Sequence, residues 1–103
     1  SGTELSNANL SGTNLRDANL GSSNLSNANF SNADLSFANL NFANLSSINF
    51  SNAVLSFANL SDADLYNSKN ITIKQVKSAQ NWEEAKYDKE FRAKLGLPPE
   101  KKE

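Results

Sequence analysis

The sequence contains no cysteine and no histidine among its 103 residues. Disulfide bonds, thiol nucleophiles, Cys or His metal sites and imidazole catalysis are therefore excluded. Glycine occurs only four times, so there is no glycine-rich loop that could cradle a phosphate. The net charge is −1, from 10 basic and 11 acidic residues, and no strong field draws the chain to nucleic acid or to an acidic membrane.

Long apolar runs are also missing from the sequence. None approaches the roughly 20 residues of a membrane span, and no signal peptide is visible. We therefore expect a soluble protein with no membrane partner. A cytoplasmic location is favoured, or the periplasm or thylakoid lumen if a leader has been removed before Ser1.

A five-residue repeat is the dominant feature that is present. Leucine or phenylalanine occupies every fifth position from Leu5 to Leu65, usually with alanine two positions earlier and asparagine one position earlier. A helix would point these Ala and Leu side chains about 200° apart, and a continuous strand would alternate the leucines between its faces. All of the repeat Ala and Leu side chains can point inward only if the chain turns once in every unit, at the polar residues. Disorder is the alternative for so Ser- and Asn-rich a segment, but thirteen apolar residues in register contradict it.

A second period of 20 residues indicates how many sides the coil has. The string LSNAN occurs at 5–9 and 25–29, and LSFANL occurs at 35–40 and 55–60. Four units then complete one coil, which predicts a square cross-section. With coils about 4.8 Å apart, the repeat makes about three coils, and these form an all-β solenoid.

Residues 3–67 resemble the pentapeptide-repeat family, whose unit is A(D/N)LXX. The resemblance implies a right-handed quadrilateral parallel β-helix with the Leu or Phe and the small residue pointing inward. It also implies one function: some members resemble duplex DNA in shape and charge and modulate type II topoisomerase (gyrase). Five scattered acids on this rod depart from that pattern.

The repeat ends after Leu65, and the remaining chain has helical character. We expect a β-helix at 1–68, a helical C-terminal cap at 69–97 and a frayed end at 98–103. The first coil has no such lid, so either residues precede it or its open end pairs with another chain. A helical tail of this kind resembles those of cyanobacterial and plastid members of the family.

The cap is expected to cover the unpaired edge of the last coil, and a partner-docking helix is the alternative. Thr72 and Gln75 predict a capping box that opens a helix at 73–79, Asn81 and Glu84 predict a similar cap for a second segment, and Gly96 predicts the end. The expected apolar contacts of the cap are Ile73, Val76, Trp82, Phe91 and Leu95.

Candidate catalytic and metal-binding groups are sparse. No carboxylate has a His or Lys partner at a useful spacing. Asp62 and Asp64 are interpreted as turn residues, with a calcium site as the alternative, and the many asparagines as turn-forming side chains stacked from coil to coil. We therefore expect no enzyme, no cofactor and no metal site.

Four apolar residues occur where the repeat is otherwise polar. Phe37, Phe42 and Phe57 lie two positions after a repeat leucine, and Val54 lies just before one; we call these four residues the aromatic flank. Phe37 and Phe57, one coil apart, are expected to stack, with Val54 and Phe42 near them.

Three interpretations of the aromatic flank compete. The rings could form a ladder that stiffens the rod, the C-terminal helices could fold back over it, or it could contact a protein partner or a second copy. We expect a non-enzymatic structural or interaction module of unknown biochemical role.

Overall fold

The computed structural model describes residues 2–100, so Ser1 and residues 101–103 of the predicted frayed end lie outside it. Successive coils pair in parallel at a spacing of 20 residues, as in the bridges from Glu4 to Asn24 and from Asn24 to Asn44. At each bridge the chain exchanges two hydrogen bonds with the next coil; the Leu5 N–H donates to the Asn24 carbonyl at 2.8 Å. These contacts are isolated bridges, one per side of each coil, rather than continuous strands.

The corners of the coil are tight turns. In the first of them the Ala8 N–H donates to the Leu5 carbonyl at 3.1 Å, and Asn7 between them has a φ of 65°. A positive φ at the third residue is characteristic of type II turns, and Gly and Asn adopt it most readily. The predicted turn-forming role of the asparagines is confirmed: the Asn9 Oδ1, for example, accepts from the Ser11 N–H at 3.1 Å. Some also bond between coils, as when the Asn39 amide donates to Asn19.

The interior of the coil is filled by the repeat leucines, phenylalanines and small residues. From Leu20 to Leu65 every Leu or Phe at a repeat centre is buried, with Phe30 and Phe50 meeting edge to face at 5.9 Å between ring centroids. Leu5, Leu10 and Leu15 in the first coil are only partly buried. The core therefore runs along the coil axis, and the outer side chains project from its corners and sides.

The tail first pairs with the last coil and then covers the end of the rod. Bridges join Asn49 to Lys69, Asn59 to Gln80, and Asp64 to Lys86, so the last coil is paired on three of its sides. Between these bridges the chain departs from the coil as α1 (Ile73–Lys77) and a 3-10 turn (Trp82–Glu84), and after the last bridge it forms α2 (Lys89–Leu95). The tail is thus an incomplete fourth coil in which α1 takes the place of one side.

The helix ends differ in part from their predictions. The capping box is confirmed, with the Gln75 N–H donating to the Thr72 hydroxyl and the Thr72 N–H donating to Gln75. The helix stops at Lys77 instead of residue 79. A second segment does begin after Asn81, as the 3-10 turn, but the predicted side-chain cap is wrong, because Asn81 is left-handed and makes no capping bond. Gly96 ends α2 with a φ of 83°, as expected.

The cap packs on the coil through part of the expected residue set. Val76 and Leu95 are buried in the same cluster as the repeat leucines, and Trp82 and Phe91 are partly buried against it. Ile73 lies outside this cluster and is 38% exposed. The contact of α1 with the coil is made instead by Val76 and by the Gln75 amide, which donates to the Phe50 carbonyl.

Candidate functional site

The aromatic flank is exposed in the folded chain. Phe37 is 50% exposed, Phe42 61%, Val54 42% and Phe57 54%. The cap does not cover these residues, because it pairs with the edge of the last coil. The cap thus covers the end of the rod and not the aromatic flank.

Two members of the flank form an aromatic stack. The Phe37 and Phe57 ring centroids are 5.1 Å apart and their planes are inclined by 12°, as the 20-residue spacing predicts. The Arg16 guanidinium lies over the Phe37 ring, 5.8 Å from its centroid, and also pairs with the Asp34 carboxylate at 3.4 Å. The stack therefore continues into a cation–π contact on the first coil.

The other two members lie to either side of this stack. Val54 projects from the side of the rod that precedes the Phe57 corner and pairs with Asp34 of the coil before it. Phe42 lies one five-residue unit beyond Phe37, at the next corner, and among residues 2–100 its ring has no stacking partner. The flank thus extends over two adjacent corners rather than forming one cluster.

The backbone of the three phenylalanines is strained. Their φ angles are 62°, 60° and 60° for Phe37, Phe42 and Phe57, within the left-handed region. The same turn position is Asn32 or Asn52 on another side of the rod, at 61° and 58°. A positive φ in a bulky residue is a genuine outlier, and the sequence signals it only through the Gly12, Asn32 and Asn52 that occupy the equivalent position of the repeat.

The charged groups near the flank make local contacts. The Ser36 hydroxyl and N–H donate to Asp34 at 2.6 and 3.0 Å, and these bonds, with Arg16, hold the pKa of Asp34 below its ordinary value. Asp64 accepts from the Tyr66 N–H at 3.0 Å, as a turn residue does. Within residues 2–100 no group of three or more carboxylates comes together to hold a metal ion.

Sequence reasoning missed a cleft between α1 and the third side of the last coil, which is the side centred on Leu15, Leu35 and Leu55. We call it the edge cleft; it has a volume of about 210 Å³. Gln75 lies in its wall and donates from Nε2 to the carbonyls of Phe50 and Ala53, both at 2.9 Å. The sequence pattern assigns Gln75 only to the capping box with Thr72, and nothing in it indicates these contacts with the coil. The residues that line the edge cleft are Ala53, Val54, Leu55, Ser56, Thr72, Lys74, Gln75 and Ser78.

We predict that Phe42→Asn raises the free energy of unfolding by about 1 kcal/mol, since Asn tolerates the left-handed backbone and Phe42 has no stack to lose. Thermal and urea unfolding measure the change. The control is Asn32→Phe at the equivalent turn of another side, which should lower stability by a similar amount. A loss of stability in Phe42→Asn would show that the ring supports the fold.

No helix within residues 2–100 has the length and apolar character needed to cross a membrane.

Comparisons with known proteins agree with this architecture. Three solved structures are similar to the chain. A pentapeptide repeat protein from the thylakoid lumen of Arabidopsis thaliana is 29% identical over 70% of this chain and 57% of its own, with a TM-score of 0.52. QnrB1, a plasmid-mediated fluoroquinolone resistance protein, is 26% identical over 85% of this chain and 42% of its own, with a TM-score of 0.69. The pentapeptide repeat protein Rfr23 from the cyanobacterium Cyanothece is 32% identical over 84% of this chain and 57% of its own, with a TM-score of 0.42.

The chain is thus shorter than the proteins that it resembles, spanning 42–57% of the length of these three. No protein of curated function matches it in sequence. The profile of pentapeptide repeats matches residues 3–36 and 33–69, in eight copies. Proteins of this family fold as right-handed quadrilateral β-helices. The chain belongs to the pentapeptide repeat family.

Proposed function

We propose that this chain is a non-enzymatic interaction module, a rigid rod with the right-handed four-sided form of its family, that binds a protein partner through the aromatic flank. Pentapeptide repeat proteins are generally structural or interaction modules rather than enzymes. The observation that carries the proposal is the exposure of three phenylalanines in left-handed backbone conformation.

Stability alone does not account for these phenylalanines. A left-handed backbone costs a non-glycine residue roughly 1–2 kcal/mol, whereas one stacked aromatic pair contributes roughly 0.5–1.5 kcal/mol. The Phe37–Phe57 stack therefore offsets the strain of one residue at most, and Phe42 has no stack at all. Retained strain together with exposed apolar surface is typical of a contact site.

The test compares wild type with a Phe37→Asn/Phe57→Asn double variant. Asparagine is the residue that the repeat uses at these turns, so the variant should keep its fold, as far-UV circular dichroism would show. Immobilised wild type is expected to capture a partner from an extract of the native organism, with recovery reduced at least tenfold by the double variant. Equal recovery of every captured protein by both baits would contradict the proposal.

The control variant for this experiment is Asn32→Ser/Asn52→Ser, at the polar corners after Phe30 and Phe50, which should leave capture unchanged. Solution mass by light scattering distinguishes the kind of partner. A wild-type dimer that becomes a monomer in the phenylalanine variant would assign the flank to a second copy of the chain.

A second candidate is a DNA-mimicking modulator of type II topoisomerase. The similarity to QnrB1, a fluoroquinolone resistance protein, favours it, with a TM-score of 0.69 over 85% of the chain. The even balance of 10 basic and 11 acidic residues supports it poorly, because a DNA mimic needs an acidic surface. A gyrase supercoiling assay with the chain at micromolar concentration decides: no effect with or without a fluoroquinolone removes this candidate.

A further inference from the structure

Within residues 2–100 the backbone N–H of Leu55, in the last coil, has no acceptor. Each Leu or Phe at a repeat centre donates its N–H to a carbonyl of the following coil; Phe50 reaches Lys69 and Leu60 reaches Gln80, both at 2.9 Å. Leu55 is the exception among these centres, and its N–H meets no acceptor within residues 2–100. The reason lies in the tail, because α1 stands where the third side of a fourth coil would run.

The neighbouring acceptor in the same gap is already occupied. In a regular coil the Ala53 carbonyl would accept a backbone N–H from the next coil, and here it accepts from Gln75 Nε2 at 2.9 Å. The gap therefore leaves the N–H groups of Leu55 and Ser56 without an acceptor within residues 2–100, while its Ala53 carbonyl is already paired. Leu55 is only 1% exposed and lines the edge cleft, so its N–H is a buried donor of the kind that is seldom left without a partner.

The charge of the edge cleft has one sign. Lys74 lines it, no carboxylate is among its lining residues, and within residues 2–100 the Lys74 ammonium makes no ion pair. An occupant that satisfies both Leu55 and Lys74 must supply an oxygen acceptor and a negative charge. A carboxylate does both, since it accepts several hydrogen bonds and forms charge-assisted ones.

The size of the edge cleft limits the occupant to a single side chain. Its volume of about 210 Å³ is below the roughly 300–1,000 Å³ of pockets that hold drug-sized ligands and cofactors. Val54 at the rim is 42% exposed and offers apolar surface to a methylene stem. We infer that the edge cleft binds an Asp or Glu side chain of the partner protein, whose carboxylate accepts from the Leu55 N–H and pairs with Lys74.

This inference rests on the proposed function, because it names the chemistry of the partner that the adjacent aromatic flank binds. It adds a polar anchor beside an apolar contact: Val54 belongs to both surfaces, and Phe57 follows Leu55 by two residues. The two surfaces depend on different side chains, and separate variants can therefore test them.

The experiment is an NMR titration of the ¹⁵N-labelled chain with the peptide N-acetyl-Ala-Glu-Ala-amide, up to 20 mM at pH 7. We expect a saturable shift of the Leu55 amide signal, with much smaller changes at Leu35, whose N–H is already bonded to Val54. The same peptide with Gln in place of Glu should cause no saturable shift. Lys74→Gln should weaken binding about fivefold, the size of an exposed ion pair.

The control variant is Lys89→Gln, the first residue of α2, which does not line the edge cleft and should leave the titration unchanged. No saturable shift at Leu55, an equal response to the Gln peptide, or equal losses in the two lysine variants would each overturn the inference. Capture that stays at the wild-type level in Lys74→Gln but is lost in Phe37→Asn/Phe57→Asn would overturn the inference as well, and would leave the proposed function standing. If both variants capture the partner as wild type does, the result contradicts the proposed function itself.

Discussion

Replacing Phe50 with alanine is expected to lower the free energy of unfolding by about 3–5 kcal/mol, as for other phenylalanines removed from a core. The Phe50 side chain is fully buried and meets Phe30 edge to face at 5.9 Å. Its backbone also joins the coil to the tail, because its N–H donates to Lys69 and its carbonyl accepts from Gln75. A cavity here removes packing at the point where the last coil supports the cap.

Urea unfolding followed by far-UV circular dichroism measures this loss. The matched control is Phe57→Ala, which removes the same side chain from a position that is 54% exposed. There the lost stack and the remaining left-handed backbone should change stability by less than about 1.5 kcal/mol. Equal losses in the two variants would contradict the division of the phenylalanines into inward and outward sets.

The inward set could be predicted because it follows from geometry alone. A period of five is odd, so leucine and alanine share the interior only if the chain turns in each unit, and the repeated strings at a separation of 20 residues required four sides. The bridges from Glu4 to Asn24 and from Asn24 to Asn44 have this separation. The role of the asparagines followed from the same argument, since turn-forming side chains were the ones available at the corners.

The pairing of the tail could not be predicted in this way. Its bridges join Asn49 to Lys69, Asn59 to Gln80 and Asp64 to Lys86, so the separation grows from 20 to 21 and then to 22 residues. The segment with α1 and the segment with the 3-10 turn each add one residue to the coil, and these additions break the period on which the prediction depended. Local signals still identified the helices, but they carry no information on which carbonyl of the coil each segment meets.

The residues of the candidate site could be predicted from the sequence, but their backbone conformation could not. Exposed phenylalanines stood out against a polar background, and the stack of Phe37 on Phe57 followed from their spacing. The left-handed φ of the three phenylalanines depends on backbone geometry, which the phenylalanines themselves do not indicate. The unpaired N–H of Leu55 depends on the path of the tail, which no residue pattern reports. Both features arise where the regular coil is altered, at an outer corner and at the gap beside α1.

Replacing Gln75 with glutamate distinguishes the effect of the helix cap on α1 from the effect of the hydrogen bonds between Gln75 and the coil. Judged by the helix alone the change is harmless, since Glu is a preferred partner of Thr in a capping box and still accepts from the Thr72 N–H. In the folded chain Gln75 Nε2 donates to the Phe50 and Ala53 carbonyls, and a carboxylate would place negative charge against both oxygens. We expect a loss of about 2–4 kcal/mol at pH 7, from lost hydrogen bonds and a poorly solvated charge.

The pH dependence of this variant provides the decisive measurement. Its carboxyl is stabilised in the protonated form, so its folded-state pKa lies above the unfolded value, and lowering the pH from 7 to 5 should recover part of the loss. Glu4 and Asp34 do not obscure this change. Hydrogen bonds from Ser6 and Ser36 lower their pKa values, so the stability that they contribute falls as the pH drops toward and below the ordinary carboxyl value of about 4 and cannot imitate a recovery.

The control for this measurement is Gln80→Glu, an exposed glutamine of the same tail whose side chain makes no hydrogen bond within residues 2–100. It should unfold like wild type at both pH values. If Gln75→Glu is as stable as this control at pH 7, the helix cap alone positions α1. If it is destabilised and partly restored at pH 5, the Gln75 amide replaces the missing side of the fourth coil. The same two carbonyl contacts would then be what keeps α1 beside the edge cleft and leaves the Leu55 N–H unpaired.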